Sequence, residues 1–132
     1  MYLLNTDVSF ELIKKNPCTN VLRWCSSVPP EYLYISVLTI GSLKQKIHEA
    51  TAPAQDNSLN VWVHSNFLNW FDKNILPVDA KISARWGDLF VFNSEAGLEG
   101  LLIATAIENN FILVTGSDKC SSCGVKVFNP FI

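Results

Sequence analysis

Residues 1–10 read MYLLNTDVSF. Tyr2, Leu3 and Leu4 suit a short buried strand, and Asn5, Thr6 and Asp7 turn the chain out of it. From Val8 to Lys15 the pattern predicts a helix, with Lys14 and Lys15 in its last turn, where cations suit the dipole, and Pro17 closing it. A strand that runs straight into a helix starts an alternating α/β pattern. A carboxylate at the strand tip would be a ready metal ligand. Here the tip carries the neutral amide of Asn5, and the carboxylate follows two residues later at Asp7.

The alternation continues outward from that stretch. Val21, Leu22, Trp24, Cys25 and Val28 follow helical spacing and end at Pro29-Pro30. Leu33 to Ile35 reads as a second strand, and Ser36 is a plausible N-cap for a helix with the stripe Val37, Ile40, Leu43 and Ile47. A polar stretch from Pro53 to Asn57 turns the chain into a helix whose face is unusually aromatic: Leu59, Trp62, Val63, Phe67, Trp70 and Phe71. Ile75-Leu76 is a third short strand. Asp79 then caps a helix carrying Ile82, Trp86, Leu89 and Phe90. Leu98 to Glu108 is an apolar helix, and Phe111–Val114 and Val125–Phe128 read as the last strands.

Strands alternating with helices predict an α/β fold of three α/β/α layers, with a central parallel sheet of four to five strands and a single domain over residues 1–132. Ligands of such folds gather at the carboxyl ends of the strands. Those ends are Asn5 to Asp7, Ser36 with the following helix, and Thr115 to Asp118, joined by the start of the Leu98 helix.

Charged residues make up 17% of the chain and hydrophobic residues 48%, which argues against disorder. The net charge is -2, and Arg23 and Arg85 are the only arginines, so bulk charge does not grip nucleic acid. No apolar run is long enough to span a membrane, and the N-terminus lacks the pattern of a secretory signal. A cytoplasmic protein with reduced thiols is expected.

Five blocks carry a family resemblance: MYLLNTDV (residues 1–8), LYISVLTIGSL (33–43), ILPVDAKISARWG (75–87), LIATAIENNFILVT (102–115) and GVKVFNPF (124–131). In this order, over nearly the whole chain, they resemble a PIN-domain protein of the toxin branch of VapBC-type toxin–antitoxin pairs, including the FitB-like members. The resemblance implies a PIN-like domain and a ribonuclease that cuts RNA with magnesium or manganese. It further implies a homodimer and an antitoxin-like partner whose tail lies over the groove. It carries the family's acidic metal positions onto Asn5, Ser42, Glu99 and Ser117, with Cys120 standing where some members place a later acid. Of these only Glu99 keeps a charge. The Asp-Thr-Asn of the family's first block stands here as Asn5-Thr6-Asp7, and the segment between Trp86-Gly87 and Glu99 is shorter than is usual in the family.

Asn5 and Ser42 offer neutral oxygens without compensating charge. One unit charge at about 4 Å contributes on the order of 4 kcal/mol at an effective dielectric near 20. Even a third of that is about tenfold in affinity. A magnesium site stripped at two or three positions is expected to be weak or absent. Asp7 either caps the helix or contacts a metal together with Glu99, and Glu99 is favoured near a helix start by the dipole alone. Asn5 reads as a ligand or as a hydrogen-bonding strut between loops. Ser42 is most simply a solvated or back-bonded hydroxyl, and Ser117 a turn residue.

The pair Cys120 and Cys123 has the spacing of zinc and redox motifs, with Cys18 and Cys25 as the only further thiols. Ordinary loop thiols are the simpler reading. His48 and His64 do not form a catalytic pair by spacing. The aromatic stripe serves either the core or a dimer or partner surface. The expected function is that of a VapC-like protein with an eroded acidic site, inactive or very weak as a nuclease, acting through dimer, antitoxin or RNA binding. The alternatives are an active Mg/Mn-dependent endoribonuclease using Glu99 and Asp7, and a thiol-based module.

Overall fold

The computed structural model describes residues 1–50, 63–91, 97–118 and 123–132. Five parallel strands form the sheet, in the order β3-β2-β1-β4-β5: β1 (Tyr2–Leu4), β2 (Leu33–Ser36), β3 (Ile75–Leu76), β4 (Ile112–Val114) and β5 (Val127–Phe128). The register pairs Leu3 with Tyr34 on one side and with Leu113 on the other. The order reverses at β1, so the crevice that α/β folds use for ligands lies where the chain leaves β1 and β4.

Alternate strand residues face opposite layers. Leu4, Leu33, Ile35 and Val114 pack with Val8, Val21, Leu43, Ile47, Phe67 and Phe71. These come from α1 (Thr6–Ile13), α2 (Thr19–Ser27), α3 (Val37–Ala50) and the segment Val63–Phe67 that leads into α4 (Leu68–Phe71). Leu3 and Leu113 face the other way, onto Ile103 and Ala106 of α6 (Gly97–Asn109). Phe90, at the end of α5 (Ala80–Leu89), packs against that second cluster, and α5 lies along α6. The result is the three-layer α/β/α arrangement expected, with a PIN-like topology. No helix among the described residues is long and apolar enough to cross a membrane.

Local chemistry explains several boundaries. Helix α1 begins at Thr6 rather than Val8, because the Asn5 carbonyl already accepts the Ser9 N–H at 3.0 Å. It ends at Ile13, so Lys14 is its C-cap and pairs with Glu11 at 2.8 Å instead of sitting inside the last turn. In α3 the Ser36 hydroxyl accepts the Leu38 N–H at 3.1 Å, as a start signal should. Val37 is not part of the buried stripe: it is 42% exposed, and the hydroxyl residues Thr39 and Ser42 take the buried positions beside Leu43 and Ile47. Asp79 caps α5 by accepting the Ile82 N–H at 2.9 Å.

The last strand is shorter than the expected 125–128. Val125 instead turns into the second cluster, and Leu113 donates its N–H to the Lys126 carbonyl at 2.8 Å. The aromatic face divides. Phe67 and Phe71 are buried, with ring centroids 5.0 Å apart, while Trp70 is 49% exposed beside Phe71. The expected turn at 53–57, Leu59, Trp62 and Cys120 lie outside the described residues.

Candidate functional site

The crevice at the carboxyl end of the sheet is built on Thr115, the residue that follows β4. Its hydroxyl makes three hydrogen bonds. It donates to Asp7 Oδ2 at 2.9 Å, and it accepts from Asn5 Nδ2 and from the Ser117 N–H, each at 3.1 Å. Thr115 is fully buried and Asn5 nearly so. The Asn5 N–H also donates to the Val114 carbonyl at 2.9 Å, so the ends of β1 and β4 are tied by backbone and side chain together.

Asn5 occupies the N-cap position of α1, yet its side chain makes no cap bond because it is committed to Thr115. Asp7 takes over that task. Its Oδ1 accepts the Val8 N–H at 2.8 Å, and its Oδ2 accepts the Gly116 N–H at 2.9 Å as well as the Thr115 hydroxyl. Capping and a tie to the next loop are thus combined in one carboxylate, both of whose oxygens are engaged. Asn5 is the strut between loops that one reading of the sequence expected.

Beside this network is a pocket of about 470 Å³. Asn5 and Asp7 line it from the start of α1, Ser42 from α3, Glu99 from the first turn of α6, and Ser117 from the loop after β4. Every position singled out by the resemblance and described in the structure therefore reaches one pocket. Ser42 lines it as a buried residue rather than a solvated one, at 8% exposure. Two further lining residues, Lys46 and Glu49, were not singled out from the sequence. They follow Ser42 at helical spacing, which is the signal that would have found them. The Lys46 ammonium lies 5.0 Å from the centroid of the Phe10 ring.

Among the described residues the thiols do not converge. Cys18 and Cys25 belong to the cluster on one face of the sheet, and Cys123 packs against the cluster on the other. All three are free, and burial pushes the Cys25 thiol up to about 11. His48 is exposed on α3 and does not line this pocket.

The fold and the clustering of these positions at the sheet's switch point define a PIN-like α/β domain. Its likenesses are specific. The chain is 26% identical over 137 residues to the plasmid stability protein StbB of Pseudomonas syringae pv. tomato, covering 99% of both chains. It is likewise 26% identical to toxin FitB of Neisseria gonorrhoeae, over 99% of each chain, and to the VapC ribonuclease Y4jK of Sinorhizobium fredii, over 99% of this chain and 98% of the relative. Among solved structures it superposes on FitAcB from Neisseria gonorrhoeae with a TM-score of 0.88 at 26% identity, covering 99% of each chain. It superposes on FitAB bound to an IR36 DNA fragment with a TM-score of 0.86 at 25% identity, covering 100% of this chain and 96% of the other. No protein-family model matches the chain. Taken with the fold and the site, these likenesses are to proteins of the VapC-type PIN-domain class.

That class implies a divalent metal, and the donor set here does not fit one. Hard cations need oxygen ligands that bring negative charge. Both Asp7 oxygens already hold protein donors, and Asn5, Ser42 and Ser117 are neutral. Glu99 and, farther along α3, Glu49 are the remaining carboxylates on the pocket wall. Among the described residues no group of three or more His, Cys, Asp or Glu side chains is placed to hold a metal ion.

Proposed function

We propose that this chain is a VapC-type protein whose acidic metal centre is eroded, with little or no ribonuclease turnover, and that it acts by binding. The observation that carries this reading is the three-donor hold on Asp7 beside a neutral Asn5. With three family acid positions (Asn5, Ser42 and Ser117) uncharged and the nearby carboxylate spent on structure, the charge left to balance a doubly positive ion is small. The likeness to FitAcB and to DNA-bound FitAB supports an antitoxin-like protein as the partner. A homodimer is part of the proposal. Among the described residues of the aromatic stripe, Trp70, half-exposed on α4, is the one offered to a partner surface. RNA is held without being cut. The test is incubation with structured RNA at millimolar Mn2+ and separate titration with a purified antitoxin-like partner. Stable complex formation without cleavage is expected; chelator-sensitive cleavage overturns the reading.

The competing reading is an active divalent-metal endoribonuclease. It draws on one observation, that Glu99, Asp7 and Glu49 line the same pocket. It requires manganese-dependent cleavage that Glu99→Gln abolishes.

A further inference from the structure

The Thr115 hydroxyl has one proton and two lone pairs, and all three are in use. The proton cannot go to Ser117, whose backbone N–H is itself a donor at 3.1 Å. It goes to Asp7 Oδ2 at 2.9 Å, where an ionised carboxylate only accepts. The remaining lone pair then requires a donor from position 5, and the Asn5 amide supplies it at 3.1 Å. The polarity of residue 5 is thus dictated by residue 7 through a single shared hydroxyl. A carboxylate at position 5 would face a lone pair of Thr115 with the proton already committed, and would bring a second negative charge to the same oxygen.

We propose that Asn5 and Asp7 are an exchanged polar pair locked through Thr115, in which Asn5 is a positioning residue and a carboxylate returned to position 5 alone builds no divalent-cation site. The proposal rests on the reading of the metal centre as eroded, and it adds the reason that a single substitution does not reverse the erosion. Reversal requires both residues to change together. In N5D/D7N the hydroxyl turns to donate to the carboxylate at position 5 and accepts from the amide at position 7. Val8 keeps an oxygen acceptor, and Gly116, which is exposed, gives its N–H to water.

The test is a double-mutant cycle on the full chain, comprising N5D, D7N and N5D/D7N, each also made with S42E. Melting temperature and Mn2+ titration calorimetry are the two readouts. Each single change is expected to lower Tm by about 5 °C or more, and the double exchange to recover at least half of the summed loss. With S42E present, N5D is expected to bind Mn2+ no more tightly than S42E alone, and N5D/D7N at least about tenfold more tightly. An N5D protein that fails to fold while N5D/D7N folds also supports the lock. Additive Tm losses, failure of both to fold, or a tenfold gain in N5D/S42E without D7N each overturn it. Tight Mn2+ binding by the wild type strikes the eroded-centre reading instead and leaves the Tm coupling intact, so the two failures are told apart.

Discussion

Gly116 lies so close to the ring of Phe131 that a Cβ added to it would sit 2.8 Å from Cδ2 and 3.0 Å from Cε2. Phe131 belongs to the C-terminal tail, and its carbonyl accepts from Asn20 Nδ2 of α2 at 2.9 Å. The tail is thereby folded back over the loop that donates to Asp7. Gly116→Ala is expected to destabilise the chain by about 1–3 kcal/mol through overpacking. Thermal melts should show that loss partly relieved in Gly116→Ala/Phe131→Leu. An unchanged Tm for Gly116→Ala would mean that the tail does not hold this position in solution.

The Thr39 hydroxyl is fully buried on α3 and finds no hydrogen-bond partner among the described residues. An unpaired buried hydroxyl costs stability that a methyl of the same shape does not. Thr39→Val is expected to leave the fold intact and raise stability by up to about 1 kcal/mol in denaturant melts. A loss of similar size would show that the hydroxyl is satisfied in solution by a bound water.

Asp79 holds the start of α5 through one bond, from the Ile82 N–H at 2.9 Å, and Ile82 is buried. Asp79→Ala is expected to cost about 1 kcal/mol, with Asp79→Asn retaining most of the cap. Urea denaturation of the two variants checks it. Equal losses in both would point to charge rather than the bond.

Burial raises the Cys25 thiol from its ordinary 9.0 to about 11. Below pH 9 the thiol is neutral whether the chain is folded or unfolded. Between about pH 9 and 11 the unfolded chain releases this proton first, so fewer protons are bound in the unfolded state and stability falls as pH rises. The loss across that window is on the order of 2 kcal/mol, and Cys25→Ala should lack it. At pH 8 a thiol reagent is expected to leave Cys25 unmodified until denaturant is added, while Cys18 and Cys123, both only partly buried, react in the folded protein. Rapid modification of Cys25 in native conditions would contradict this placement.

Much of the fold could be read from apolar runs and start and stop signals. Leu98 to Glu108 was expected as a helix and extends over Gly97–Asn109. Asn110, with φ at 57°, then lets the Phe111 N–H reach the Ala106 carbonyl at 2.9 Å and turns the chain into β4. Local signals failed where tertiary contacts compete with them: Val37 looked like stripe, but it is exposed while Thr39 and Leu43 are buried. At the site, Asn5, Ser42, Glu99 and Ser117 were legible because a resemblance marks each of those positions. The role of Thr115 was not, since a threonine after a strand carries no local signal. Which way its proton points is settled by Asp7, more than a hundred residues away in sequence.

The direct measure of whether this pocket holds a divalent ion is calorimetric titration of the wild-type protein with Mg2+, repeated with Mn2+. With Asn5, Ser42 and Ser117 uncharged on the pocket wall and both Asp7 oxygens holding protein donors, no saturable isotherm is expected up to about 10 mM of either ion. A one-site isotherm with a Kd at or below about 1 mM, lost in Glu99→Gln, would contradict it and restore the chain to the metal-dependent ribonucleases.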